Sequence, residues 1–203
     1  MLKSTAINII FTQQFGIGFY KSCKIQPYHN IHSYLNIPDT SGRDSLFQAE
    51  SRRCKDILDS IAENGITSRH FCIFDELYSG TNPREATKTA FAFMKYISSF
   101  KNVDLILTTH YVSICKKLER VFPSRIANYQ MEVLEVEHVE ENTYKIIEGI
   151  STREGAIKIL KEMKYPELML DTLNNTDFSE DNDDYKKEEE EEDEVNSDEC
   201  VVV

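Results

Sequence analysis

The chain lacks a long hydrophobic run, a closely spaced cysteine pair and a stripe of basic residues. No apolar run reaches the roughly 18 residues that a membrane-spanning helix needs. Residues 6–19 are apolar but lack the cleavage pattern of a signal peptide, so we expect them to form a core helix. With 40% hydrophobic and 29% charged residues over 203 positions, the composition is typical of one folded domain. We therefore expect a soluble protein of the nucleus or cytoplasm, with no membrane partner.

The cysteines are odd in number and widely spaced, which favours reduced thiols over a disulfide framework. They are Cys23, Cys54, Cys72, Cys115 and Cys200. A zinc site built from Cys23, His29, His32 and Cys54 is an alternative, although it lacks the C-x-x-C pair that marks most structural zinc sites. We expect His29 and His32 to be loop residues.

The negative charge of the chain is concentrated at its C-terminal end. Residues 176–203 contain 14 acidic residues and two lysines, a net charge of −12 that equals the formal charge of the whole chain. The acidic block at 188–194 has too few apolar residues to form a core, so we predict disorder. The sequence thus divides into a domain at 1–172 and an acidic disordered tail at 173–203. Such a tail serves solubility, or it mimics nucleic acid or binds a basic partner.

Two short apolar segments end in polar residues suited to phosphate chemistry. Residues 71–74 precede Asp75 and Glu76, as expected for a buried strand that meets an active site at its carboxyl end. Of such a pair, one carboxylate can hold Mg²⁺ through its water shell and the other can polarise an attacking water, roles that suit Asp75 and Glu76 respectively. A second apolar segment, 103–107, leads to His110, whose neutral imidazole could reach the same edge.

The hydrophobic periodicity predicts an α/β sheet with helices on both faces. Predicted helices cover residues 2–15, 45–61, 83–100, 111–120 and 154–164. Predicted strands cover 70–75, 103–108, 129–137 and 143–148, with a turn at 140–142 between the last two and a loop through Pro27 and Pro38 after the first helix. In the third helix, one face carries Ala86, Ala90, Phe93 and either Tyr96 or Ile97.

Several motifs occur in one characteristic order. They are a serine-bearing segment at 41–50, Asp75-Glu76, the Gly80-Thr81-Asn82 turn followed by Glu85, Thr109-His110-Tyr111, and closing segments at 148–156 and 164–166. In this order they resemble the ATPase domain of the MutS mismatch-repair family, a branch of the ABC-type P-loop ATPases. The resemblance covers roughly residues 4–172 and implies an ABC-type P-loop NTPase sheet with flanking helices.

The resemblance also implies a set of functional residues, with ATP and Mg²⁺ as cofactors. Asp75 would hold the metal, and Glu76 and His110 would be catalytic. The nucleotide-binding residues would be Ser41, Gly42, Ser45, Gly80, Thr81 and Asn82. Two of these assignments have simpler alternatives: Ser45 would also serve as a helix N-cap, and a lone histidine such as His110 is more often packed or at the surface.

The sequence departs from the family at the phosphate-binding loop. A G-x-x-x-x-G-K-[ST] loop, whose amides cradle the phosphates, does not occur in these 203 residues. Lys3-Ser4-Thr5 imitates its end, but no glycine precedes it. We therefore expect a chain that begins just after its P-loop, lacks the P-loop strand and is inactive alone.

Two functions of different classes remain open. The first is the ATPase domain of a MutS-like sensor of mismatched or damaged DNA, paired through its ATPase face with a MutS-like subunit in a homodimer or heterodimer. Mismatched duplex DNA would be contacted only through domains outside this sequence, because the chain has no basic stripe of its own. The second is a non-catalytic remnant or interaction module that docks on an intact MutS-like partner.

Overall fold

A computed structural model of the chain describes residues 1–35, 37, 45–136, 139–151 and 156–175. The chain forms two compact units, Met1–Ser151 and Thr152–Val203. The helices are α1 (Leu2–Phe15), α2 (Leu46–Glu63), α3 (Pro83–Ser98), α4 (Val112–Val121), α5 (Ala156–Glu162) and α6 (Glu167–Asn175). The strands are β1 (Asn30–Tyr34), β2 (His70–Asp75), β3 (Val103–Thr108), β4 (Tyr129–Val136) and β5 (Val139–Glu148).

The first three strands form a parallel sheet in the order β1-β2-β3. The middle strand, β2, is buried from His70 to Phe74, and its unbroken hydrophobic run is typical of a strand covered on both faces. Asp75 lies opposite Thr108 in the register of β2 and β3. The carboxyl ends of these two strands therefore meet at one edge of the sheet, and the predicted α/β class is confirmed.

Helices cover both faces of this sheet, as predicted. Phe71 and Ile73 pack with Ala6 of α1 on one face. Cys72 and Phe74 point the other way and belong to a larger core, since successive side chains of a strand alternate between faces. That larger core is built with α2, α3 and α4.

Helix α3 shows how the local sequence determines an element. Asn82 caps its first turn and Pro83 occupies the first helical position, where the missing amide hydrogen is not needed. The predicted apolar face is confirmed, and of its two alternatives Ile97 is fully buried whereas Tyr96 is 56% exposed. The helix ends at Ser98, two residues before the predicted end at Phe100.

Strand β1 corrects the predicted loop through Pro27 and Pro38. Its sequence, NIHSY, is too polar to show a hydrophobic run, but it pairs in parallel with β2 over its whole length. Its last residue, Tyr34, is 2% exposed. His29 lies in the loop before β1, as predicted, whereas His32 lies within the strand, so its predicted loop placement is wrong.

Strands β4 and β5 form the predicted antiparallel pair, but the predicted turn at 140–142 is wrong. Those residues belong to β5, where Asn142 pairs with Val133 and Glu141 pairs with Leu134. The strands are joined at residues 137–138, outside the described ranges. The pairing register changes between Met131 and Val133. Residues 129–131 pair with residues 146–148, whereas residues 133–136 pair with residues 139–142. Such an irregularity is not visible as a periodicity in the sequence.

The second unit contains α5 and α6. Helix α5 lies inside the predicted helix at 154–164, whereas α6 was not predicted. Pro166 precedes α6, and Glu167 in its first turn is favourably placed near the positive end of the helix dipole. Across the described residues, no helix is both long and apolar enough to span a membrane. The predicted disordered stretch from 176 onward lies outside the described residues, and the division at 172 stays a prediction.

Candidate functional site

The two acidic residues at the end of β2 are fixed to β3 by hydrogen bonds. The hydroxyl of Thr108 donates to Oδ1 of Asp75 at 2.5 Å. The backbone amide of Glu76 donates to the carbonyl oxygen of Thr108 at 3.0 Å. Asp75 is half-buried, whereas Glu76 is exposed. The strand ends therefore present one shielded and one accessible carboxylate at the same edge.

His110 reaches the edge where the carboxylates lie. Its Nδ1 atom is 3.7 Å from Oε1 of Glu76, and both side chains are more than half exposed. The imidazole ring also lies against the ring of Tyr111, with 4.1 Å between centroids. Burial raises the pKa of Tyr111, and the negative charge of Glu76 adds to that rise. The structure thus brings Asp75, Glu76 and His110 together, while their chemical roles stay predictions.

A small cavity of about 180 Å³ lies beside the carboxylates. Its lining residues are Tyr34, Ile37, Leu46, Glu50, Asp75, Glu76 and Ser79. Proteins usually hold Mg²⁺ with one or two carboxylates and complete its coordination with water and phosphate oxygens. Asp75 and Glu76 fit that requirement, because both line a polar cavity at a strand end.

The fit to a nucleoside triphosphate is incomplete. The cavity is smaller than the roughly 300–1,000 Å³ of most ligand pockets. The amide cradle that holds the phosphates of a P-loop ATPase is also missing from the 203 residues. The described site therefore presents two carboxylates and an imidazole at one strand edge, and the sequence contains no P-loop motif to hold a phosphate against them.

The turn after the carboxylates makes local contacts that account for its residue types. Asn82 Oδ1 accepts the amide of Glu85 at 3.0 Å, and the Thr81 hydroxyl donates to Glu85 Oε2 at 2.9 Å. A Cβ atom added to Gly80 would lie 2.8 Å from the backbone nitrogen of Phe47 in α2. Glycine is therefore required for the turn to approach α2 this closely. The nucleotide-binding roles assigned to Gly80, Thr81 and Asn82 stay predictions.

Ser45 is the N-cap of α2, which was the simpler of its two predicted roles. Its hydroxyl accepts the amide of Gln48 at 3.3 Å, and Gln48 Oε1 accepts the amide of Ser45 at 2.9 Å. This reciprocal pair is a capping box. Ser45 is exposed, and its contact with nucleotide stays a prediction. Ser41 and Gly42, also predicted to bind nucleotide, lie outside the described residues.

Glu50 is a buried carboxylate at this site that was not among the predicted site residues. It is 2% exposed, and its oxygens accept hydrogen bonds from Ser79 and Gly80. The sequence does indicate that Glu50 is buried. It precedes Cys54, Ile57 and Ile61 at the spacing of one helix face, and all three of those residues are buried. A glutamate on a buried helix face needs hydrogen-bonding partners.

The alternative zinc site is not formed by the described residues. Among them, no group of three or more His, Cys, Asp or Glu side chains is placed to hold a metal ion. Cys23, Cys54, Cys72 and Cys115 are free thiols, and Cys23 is exposed whereas Cys54 and Cys72 are buried. Burial raises the pKa of Cys54 to about 11 and that of Cys72 to about 12.

Comparisons with known proteins confirm the family that the motifs indicated. The sequence profile of MutS domain V matches residues 1–177. A DNA mismatch repair protein MutS from Parabacteroides distasonis is 32% identical over 180 residues, which are 86% of this chain and 20% of that protein. Endonuclease MutS2 from Fusobacterium nucleatum is 28% identical over 144 residues, 68% of this chain and 16% of the relative.

A eukaryotic protein gives a similar match. The DNA mismatch repair protein MSH3 from Meyerozyma guilliermondii is 28% identical over 145 residues, 69% of this chain and 14% of that protein. The chain thus spans about a fifth or less of the length of these relatives. Because the family profile matches most of the sequence and the strand-end motifs lie together in the fold, the chain belongs to the MutS domain V family.

Proposed function

We propose that this chain is the carboxylate-bearing part of an ATP-hydrolysing site in a MutS-type DNA mismatch-repair protein of the cell interior. The observation that carries the proposal is the convergence of Asp75, Glu76 and His110 at the carboxyl ends of two adjacent parallel strands. Ligands of parallel sheets bind at this edge. The names of the relatives support the mismatch-repair setting.

In this proposal each residue has a distinct role. Asp75, held by Thr108, would hold Mg²⁺ through its water shell. Glu76 is accessible and would polarise a water molecule at its carboxylate oxygens. His110, 3.7 Å from Glu76, would sense the terminal phosphate. Bound Mg-ATP would supply the phosphoryl group.

In this proposal the phosphate cradle would come from outside these 203 residues. Electrostatic catalysis depends on a phosphate held against the carboxylates, so we expect no hydrolysis by this chain alone. A complete MutS-like subunit, paired through the ATPase face, is the proposed partner. Ser45 and the turn at Asn82 would then contribute to that subunit's site, since both are exposed at the N-termini of α2 and α3.

A specific observation favours a second candidate, an interaction module that docks on a MutS-like protein. Phe15 and Phe19 are 70% and 82% exposed, and both rings lie within 6.5 Å of Phe11, measured between centroids. Ile17, between them, is 62% exposed. A contiguous exposed apolar patch of this kind commonly marks a protein-binding surface.

The first test is the binding of a fluorescent ATP analogue, with Mg²⁺, to the purified chain and to its Glu76→Gln variant. We expect no binding at micromolar concentrations for either protein. Micromolar binding would reveal a phosphate cradle in these residues and would refute the proposed dependence on a partner. Glu63→Gln, at an exposed position on α2, is the matched control for the loss of one carboxylate.

The second test mixes the chain with the MutS protein of Parabacteroides distasonis and measures association and ATPase rate. A changed rate that Ser45→Ala or Asn82→Ala abolishes would support a site completed between subunits. Association without a change in rate would support the interaction module. If the mixture shows neither, both candidate functions are wrong.

A further inference from the structure

Glu50 connects α2 to the loop that follows β2. Its Oε1 atom accepts hydrogen bonds from the amide of Ser79 at 3.0 Å and from the Ser79 hydroxyl at 2.9 Å. Its Oε2 atom accepts the amide of Gly80 at 3.2 Å. One buried side chain thus holds two successive backbone amides of the loop.

These contacts leave little capacity for a further ligand. A carboxylate offers about four lone-pair positions, and three donors from Ser79 and Gly80 already engage Glu50. Although Glu50 lines the same cavity as Asp75 and Glu76, its oxygens are directed at the loop. Its role is therefore to position the loop, not to bind a cation.

The loop needs such a support because part of its backbone is strained. Glu76 and Tyr78 have φ angles of 51° and 59°, in the left-handed region that non-glycine residues avoid. Conformations of this kind persist only when the surrounding contacts impose them. Leu77 and Tyr78 are anchored in the core at 1% and 5% exposure, and the amide of Tyr78 donates to the hydroxyl of Tyr34.

The support also extends from the loop to the first turn of α2. Gly80 lies so close to Phe47 that a Cβ atom would not fit. Ser45 caps the same turn, and Glu50 follows it by five residues, or roughly 7.5 Å along the helix axis. Glu50 therefore belongs to one connected set of contacts. The set joins the first turn of α2 to the loop after β2, and this loop begins at Glu76.

We propose that Glu50 is a positioning residue that holds the Glu76 loop in its strained conformation against the first turn of α2. The inference rests on the proposed function in one respect, namely that Glu76 polarises the attacking water. Loss of the Glu50 carboxylate would release Ser79 and Gly80, relax the backbone at Glu76 and move its carboxylate away from the edge shared with His110.

Hydrogen exchange of individual amides tests the positioning without any need for ATPase activity. In Glu50→Ala, we expect the protection of the Ser79 and Gly80 amides to fall roughly tenfold to a hundredfold, as for lost hydrogen bonds to a charged group. The protection of the Cys72 amide in the core should stay unchanged. Glu50→Gln keeps one carbonyl oxygen and should show a smaller fall, whereas Glu63→Gln should show none.

Two results would overturn the positioning role. Unchanged protection at Ser79 and Gly80 in Glu50→Ala would show that other contacts hold the loop. An equal loss of protection at Ser79, Gly80 and Cys72 would show that Glu50 only stabilises the whole fold.

The link to catalysis is measured in the mixture with Parabacteroides distasonis MutS. Under the proposal, Glu50→Gln lowers the chain's effect on kcat and leaves KM unchanged. If the wild-type chain has no effect on the ATPase rate, the proposed function fails while the exchange data still decide the positioning. If wild type and Glu50→Gln have equal effects, the inference about Glu76 is wrong.

Discussion

A hydrogen-bonded histidine pair, in which His70 is buried and His32 is half-buried, predicts that the fold weakens as the pH falls below neutrality. His32 Nε2 and His70 Nδ1 are 3.0 Å apart, and the two rings are stacked with 5.3 Å between centroids. His70 is fully buried. One ring must donate and the other accept, an arrangement that requires at least one neutral imidazole. Two positive charges in this position would repel each other in a poorly solvated site.

The pKa shifts give the direction and the size of the effect. Burial, followed by the charges of His70 and Arg53, lowers the pKa of His32 from 6.5 to about 4. Burial, followed by His29, also lowers the pKa of His70. Between pH 6.5 and 4 the unfolded chain therefore binds protons that the native chain does not, so stability falls as the pH falls.

For His32 alone, the difference of about 2.5 in pKa corresponds to at most about 3 kcal/mol between pH 7.5 and pH 4, at 1.36 kcal/mol for each pH unit. Because His32 is only half-buried, solvent screening makes its contribution smaller than this limit. Roughly two thirds of the contribution is lost by pH 5. The lowered pKa of His70 adds to the loss. Because small domains are stable by only about 5–15 kcal/mol, the change is large enough to measure.

The assay is urea denaturation at constant ionic strength between pH 7.5 and pH 5, a range that avoids most carboxylate titration. His32→Gln, which keeps a group able to hydrogen-bond His70, should reduce the slope of unfolding free energy against pH and leave the part that comes from His70. A flat profile in the wild-type protein, or an equal slope in the variant, would refute the reasoning. The urea m value should stay the same in all experiments, as expected if only stability changes.

Three further predictions concern other parts of the fold. Asn82→Ala should lower the free energy of unfolding by about 1 kcal/mol through loss of the α3 cap, measured by urea denaturation against Asn82→Asp, which keeps an acceptor. Gly80→Ala should cost about 1–3 kcal/mol, because its Cβ atom would meet the backbone of Phe47. In native protein, a thiol reagent should label exposed Cys23 and spare buried Cys72, as read by peptide mass spectrometry.

Each of these predictions has a clear contrary result. Equal stability of Asn82→Ala and the wild-type protein would mean that solvent replaces the cap. An unchanged free energy of unfolding in Gly80→Ala would mean that the turn can move away from α2 without cost. Labelling of Cys72 at the rate of Cys23 in native protein would contradict the burial of β2, whereas both should react once urea unfolds the chain.

The strands that carry the site were predictable because each has a hydrophobic run that is visible in the sequence. β2 and β3 have the predicted bounds, 70–75 and 103–108, since each is a short apolar run that ends in polar residues. β1 had no such signal. The polar residues of NIHSY become a strand through pairing with β2 and the burial of Tyr34, which are tertiary effects.

The candidate site was predictable at the strand ends and less so around them. Asp75, Glu76 and His110 follow apolar strands, and parallel strands bring such ends together. Glu50 is distant from Ser79 in sequence, and their hydrogen bonds follow only from the packing of α2 on the sheet. Contacts between a helix side chain and a distant loop have no periodicity that a sequence can reveal.

Among the described residues, buried His70 with its partner His32 and buried Glu50 with its loop contacts lie at opposite ends of β2, which separates stability from the geometry of the site. His70 begins the strand, and Glu76, supported by Glu50, follows its end. At about 3.3 Å per residue, six residues place these ends roughly 20 Å apart. Effects of substitutions more than about 10 Å apart usually add independently. Acidification through the histidine pair should therefore change the free energy of unfolding and leave the Glu50 loop contacts intact, so a defect confined to Glu50 variants reports on the site itself.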